Sequence, residues 1–214
     1  MSFSSYSNFG ASLSTWMDIG ASDLAPSLVA DLITVGEARI FREARTQAME
    51  TSFGTAIVGG LMALPSGYLA IKSAYVNCSP PVSLERRPSE WIRLNYPDSG
   101  SSGIPKFFAR YGQNFIFGPY PDSAYTINGI FYQQPAAISA SGLNTLFTTN
   151  PDLYLFGCLA ESEIVIGRDP RVPLWEAKYA KILADVNGTD RAEDASGSTL
   201  QTRLAKTASY RTTR

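Results

Sequence analysis

The stretch from Gly103 to Ala136 constrains the fold of this chain more than any other. It holds three aromatic or β-branched runs, Phe107–Tyr111, Phe115–Phe117 and Tyr125–Gln134. Gly112-Gln113 separates the first two, and Gly118-Pro119-Tyr120-Pro121-Asp122 separates the last two. Branched and aromatic side chains fit a pleated surface, and the turn residues supply the backbone angles that reverse it, so the spacing predicts an antiparallel meander. Asn128-Gly129 reads as a hairpin turn or as the middle of one long strand, and the long strand is preferred. It would carry Tyr125, Ile127 and Phe131 on one face and Thr126, Asn128, Ile130 and Tyr132 on the other. Leu64-Pro65-Ser66-Gly67 is a turn, and Tyr68–Val76 alternates as a further strand. Thr51–Leu64, with Gly54, Gly59 and Gly60, fits neither a clean strand nor a clean helix, and it lacks the Gly-Lys-Ser/Thr ending of a phosphate loop.

Helical sequence lies on both sides of this sheet. Ser2–Ser14 is polar and reads as a loose arm, with Ser12 or Ser14 capping a short helix that includes Trp16 and Ile19. Pro26 suits the first turn of a helix reaching about Gln47, with Leu28, Leu32 and Val35 in one stripe and Val29, Ile33 and Ile40 in its neighbour. The charged residues Glu37, Arg39, Arg42, Glu43 and Arg45 read either as a solvated face or as a subunit contact. Pro88-Ser89-Glu90 predicts one helical turn, and Tyr96–Gly103 a flexible loop. Asn150-Pro151-Asp152 starts a helix to about Ile166 that is apolar nearly all round and therefore central. Gly167–Pro170 ends it. A last helix, Val172–Val186, sets Trp175, Tyr179, Ile182 and Val186 on one side, and Asn187-Gly188 stops it. The fold class is α+β.

Composition removes most enzyme chemistry. None of the 214 residues is histidine, so the commonest general acid/base and metal ligand is missing and a Ser-His-Asp or Cys-His arrangement cannot be built. The two cysteines, Cys78 and Cys158, have neither metal nor redox spacing and read as small buried hydrophobes. Glu161 and Glu163, two apart on a helix, do not share a face, and Asp98 and Asp122 fall in turns. No catalytic constellation, cofactor site or metal site is expected. A net charge of −1 argues against a dedicated nucleic-acid binder. The start of the chain lacks a basic segment and an apolar core, so no secretory signal is expected, and no run reaches the roughly 18 apolar residues that span a bilayer.

Thr189–Arg214 is nearly devoid of apolar residues apart from Leu200, Leu204 and Tyr210. Asp190, Glu193 and Asp194 come first, and Arg203, Lys206, Arg211 and Arg214 come last. It reads as a solubilising tail or as an arm that orders on a partner.

The order of these pieces resembles the head-to-tail adaptor (connector) proteins of short-tailed bacteriophages. The resemblance is carried by Gly36–Arg45, Leu64–Leu69, Gly103-Ile104-Pro105 with the aromatic strand after it, Phe117–Asp122 leading to Tyr132–Pro135, and Asn150–Ser162 followed by the Trp175 and Tyr179 helix. It implies a helical bundle built from both ends of the chain, an inserted antiparallel β domain and an extended C-terminal arm. The corresponding boundaries are 1–50, 51–149, 150–187 and 188–214. It further implies a virion protein, assembled in the host cytoplasm, in a ring of about twelve copies closed by heterologous contacts. The partners would be the portal protein above and the tail nozzle protein below, with genomic DNA passing through without specific binding. Leu200, Arg203, Leu204, Lys206, Tyr210, Arg211 and Arg214 would be the portal-binding residues of the arm. Two other readings stand beside it. One is a tail-associated receptor- or glycan-binding module using Tyr96, Tyr120 and Tyr125. The other is a glycosidase, which needs two carboxyls across a cleft.

Overall fold

The computed structural model describes residues 3–20, 24–57, 59–97 and 99–196. It is a mixed α+β protein with two four-stranded sheets. Among the described residues there are two hydrophobic cores, one built from residues between Phe9 and Met49 and between Ile138 and Tyr179, the other from residues between Ile57 and Ile127.

The first helix, α1 (Tyr6–Met17), starts well inside the stretch expected to be a loose arm and includes Trp16 of the short helix expected after it. Ser5, not Ser12 or Ser14, caps it by accepting from the Asn8 N–H at 3.2 Å. Phe9, Leu13 and Met17, spaced by four, bury its inner face together with Ser14, whose hydroxyl donates to the Gly10 carbonyl at 3.2 Å, and the serines dilute the apolar pattern. α2 (Pro26–Glu43) begins at its proline as expected but stops at Glu43, after which a single 3-10 turn covers Gln47–Met49. Its buried face is Leu32, Ile33, Gly36, Glu37, Ile40 and Phe41, whereas Leu28 and Val35 are exposed.

The glycine-rich segment resolves into two strands, β1 (Glu50–Ala56) and β2 (Leu61–Ala63), joined through Gly59 and Gly60 at positive φ. Those angles are open to glycine at no steric cost, so the glycines mark the point where the chain leaves one sheet for the other. β3 (Tyr68–Val76) matches expectation. The short strands β4 (Val82–Ser83) and β5 (Glu85–Arg86) precede α3 (Ser89–Asn95), longer than the one turn expected. Part of the loop after it, Ser99–Ser101, forms a 3-10 turn.

The three aromatic runs are strands β6 (Phe107–Tyr111), β7 (Asn114–Gly118) and β8 (Thr126–Gln133), but not one meander. β6 and β7 form a hairpin in the sheet ordered β2-β7-β6-β5, where the β5–β6 pair is parallel. β8 lies in the other sheet, ordered β1-β8-β3-β4 and antiparallel throughout. The segment after Gly118 makes a detour, with Tyr120 bridging to Ser102, before the chain enters the other sheet as β8. Asn128-Gly129 lies inside β8 as preferred. Gly129 is required there by close approach, since a Cβ would stand 2.4 Å from the Ser73 carbonyl oxygen and 2.7 Å from the Phe53 ring. The two sheets face each other across Val76 and Ile127 on one side and Met62, Phe108, Phe115 and Phe117 on the other. Tyr68 joins them, edge-on to Phe115 at 5.4 Å and stacked on Phe131 at 6.2 Å.

The chain then returns to the helices through α4 (Thr145–Thr149), capped by Asn144, and α5 (Pro151–Ala160). α5 is central: it packs against α1, α2, α4 and the last helix, and buries Leu153, Tyr154, Leu155, Cys158 and Leu159. Pro151 and Asp152 take the first turn as expected, although the Asn150 side chain makes no cap bond. The helix ends at Ala160, short of Ile166, and a separate single turn, α6 (Glu163–Ile166), follows. α7 (Val172–Ser196) does not stop at Asn187-Gly188 but runs on to Ser196. The segment expected as an arm from residue 188 therefore begins as helix. Among the described residues no helix is long and apolar enough to cross a membrane.

Candidate interaction site at the base of the last helix

Polar side chains converge where α7 crosses α2 and the end of α5. The charged stretch of α2 is divided: Arg42 and Glu43 are exposed, whereas Glu37 is buried and Arg39 turns toward α5 and α7. The Arg39 side chain is 16% exposed. Its Nη1 donates to Glu161 Oε1 at 3.0 Å and to Glu176 Oε2 at 2.8 Å, and its Nη2 to Glu176 Oε1 at 2.5 Å. Nε lies 3.4 Å from Glu43 Oε1, and the guanidinium plane covers the Tyr179 ring at 4.5 Å. One planar cation thus holds a carboxylate from each of three places: its own helix, the end of α5 and the first turns of α7. A fork geometry does this where an ammonium would not. Tyr179 donates its hydroxyl to Glu43 Oε2 at 2.8 Å and closes the ring.

Two further contacts fix the same helix. Asn187 Oδ1 accepts from the Arg45 N–H at 2.9 Å, and its Nδ2 donates to the Glu43 carbonyl at 3.4 Å. Asn187 therefore satisfies the exposed backbone at the end of α2 instead of terminating its own helix, which explains why α7 continues. At the start of α7, Arg171 donates to the carbonyl oxygens of Trp16 and Met17 at 3.2 and 3.0 Å while paired with Asp169 at 2.7 Å. Its positive charge complements the carbonyl end of α1. Buried Glu37 accepts from the Ile138 N–H at 3.0 Å, tying α2 to the segment that leaves β8.

The electrostatics follow from these partners. The hydrogen bonds from Arg39 hold the Glu176 carboxyl below the usual carboxylate range. Burial pushes the Glu37 carboxyl up, against the opposing backbone bond from Ile138. Burial likewise pushes up the Cys158 thiol and the Tyr154 and Tyr179 phenols. Each acid at the base is spent on a cation or a backbone amide, and the buried thiol is held protonated, so the arrangement positions helices and offers no nucleophile with a base. A groove of about 650 Å³ at the junction of the sheets and helices is lined by uncharged residues, among them Met49, Ser66, Gln133, Gln134 and Asn144. Among the described residues no group of His, Cys, Asp and Glu could hold a metal ion.

The residues expected to bind the portal, Leu200, Arg203, Leu204, Lys206, Tyr210, Arg211 and Arg214, lie outside the described residues. The base of α7 escaped sequence reasoning because Arg39 is more than a hundred positions from both Glu161 and Glu176; the local signal is the Arg39–Glu43 spacing of four. The aromatics considered for glycan binding serve packing. Tyr96 stacks on Phe107 at 6.3 Å, Tyr120 lies against Gly60, and Tyr125 donates to Asp122 Oδ1 at 2.7 Å.

Compared with known proteins, residues 4–203 match the family model described as SU10 adaptor protein. No curated protein matches the chain. The match spans nearly every element described above and agrees with the resemblance to phage head-to-tail adaptors seen in the motifs. The chain belongs to the SU10 adaptor protein family.

Proposed function

We propose that this chain is a structural virion protein that forms a ring between the capsid portal and the tail nozzle and lines the passage for DNA without catalysing a reaction. The observation that carries this reading is the family match over residues 4–203. The geometry supports it, because the polar groups at the base of α7 lock helices together rather than assemble chemistry. In this reading residues 1–50 and 150–187 form one helical bundle, 51–149 an inserted β domain, and the end of the chain an arm whose Leu200, Arg203, Leu204, Lys206, Tyr210, Arg211 and Arg214 engage the portal. About twelve copies close a ring through heterologous contacts. The protein is assembled in the host cytoplasm and resides at the head-to-tail junction of the virion.

Sedimentation of the purified chain, alone and mixed with the portal protein of the same phage, tests the proposal. A large defined complex that needs portal, and that is lost on truncation after Ser196, is the expected result. A small oligomer indifferent to portal would overturn it and favour a receptor-binding module.

A further inference from the structure

Two sets of arginines contrast in this protein. Arg39 and Arg171 are engaged by carboxylates that hold them against neighbouring helices. Those on β5, β6 and α3 are different. Arg86 is exposed and has no partner among the described residues. Arg93 covers the Tyr111 ring at 4.5 Å and Arg110 the Tyr68 ring at 5.5 Å, and Arg110 Nε donates to the Gly112 carbonyl at 3.1 Å. Neither has an acidic partner among the described residues. Arg87 lies over Trp91 and Phe107 at 5.3 and 5.6 Å and, among the described residues, pairs with exposed Glu85. Stacking fixes the plane of a guanidinium while leaving its edge donors unused, and this arrangement is prepared for a forked bond to an oxyanion.

Arg86, Arg87 and Arg110 line one open cleft of about 360 Å³, together with Pro88, Ser89 and Ala109. Strand pairing places them there: β5 runs parallel to β6 with Arg86 beside Phe108, two residues before Arg110. The cleft is small and takes a few oxyanions. Glu85 and Glu90 beside it are exposed and Glu85 pairs with Arg87, so the positive charge of the cleft is local. A net charge of −1 over the sequence argues against the wide basic surface that a continuous phosphate track needs. A few discrete carboxylates on a protein segment match the few donors of the cleft and need no such track.

We propose that the cleft between β5, β6 and the start of α3 docks an acidic segment of a protein partner, with Arg86 and Arg110 forking onto its carboxylates. The test uses the full chain and two fluorescein-labelled probes, a short peptide alternating Glu and Ser and an oligothymidylate of equal charge, read by anisotropy at low salt. The peptide is expected to bind, and R86A/R110A to weaken it about tenfold, the loss of a charge-assisted hydrogen bond. R42A/R168A, which removes two exposed cations elsewhere, should leave binding unchanged, and R86K/R110K should restore only part of it. Equal peptide affinity in all variants, or no peptide binding, overturns the proposal. Tighter binding of the oligothymidylate that R86A/R110A abolishes also overturns it, in favour of a phosphate site.

Discussion

Replacing Arg39 with Met isolates the junction that holds the last helix. Methionine keeps most of the volume and the contact with Tyr179 but removes the cation shared by Glu43, Glu161 and Glu176, whose side chains are 39%, 27% and 46% exposed. Breaking a fully buried pair costs roughly 3–5 kcal/mol, and partial exposure of the acids lowers this to about 2–4 kcal/mol. For a chain of this size about 3 kcal/mol corresponds to a fall in Tm of about 6–12 °C. Urea denaturation of wild type, R39M, E176Q and the double variant measures both the loss and the coupling, expected near 1–2 kcal/mol. The pH dependence gives an independent readout. Because the folded pKa of Glu176 is depressed, its contribution is present above the ordinary carboxylate value and disappears as pH falls through the depressed one. R39M should flatten that acid limb. A loss below about 0.5 kcal/mol with no coupling would refute the view that this cation holds the helices together.

Glu37 has the opposite sign: its raised folded pKa means that the stability it contributes is full at low pH and declines as pH rises through that value. E37Q keeps an acceptor for the Ile138 N–H and should match or exceed wild type in urea at pH 7, whereas E37L should lose about 1–3 kcal/mol by leaving that amide unpaired. G129A should cost more than about 2 kcal/mol, since its Cβ meets the Ser73 carbonyl at 2.4 Å and the backbone there cannot yield; calorimetry showing a Tm within a degree or two of wild type would contradict the register of β8. A thiol reagent on the native protein should modify Cys78 readily and Cys158 only after unfolding, as burial shields the second thiol and pushes its pKa up.

Where local chemistry decides structure, the sequence was a sufficient guide. Pro26 and Pro151 mark helix starts, Tyr68–Val76 and Thr126–Gln133 alternate as strands, and the apolar circumference of Leu153–Leu159 places that helix at the centre. The lack of histidine by itself removes most catalytic arrangements. Partner choice over long sequence separations belonged to the tertiary structure. Alternation shows that Phe107–Tyr111, Asn114–Gly118 and Thr126–Gln133 are strands but is silent on which neighbours they take, because every exposed edge offers the same backbone donors and acceptors. The charged run of α2 has the composition of a solvated face, and only the approach of α5 and α7 makes Arg39 a part-buried hub. Asn187-Gly188 reads as a helix stop until the end of α2 offers Asn187 a better use. Capping, turns and periodicity act over a few residues and can be read locally; sheet partners and ion networks depend on the contacts that folding creates, so they appear only in three dimensions.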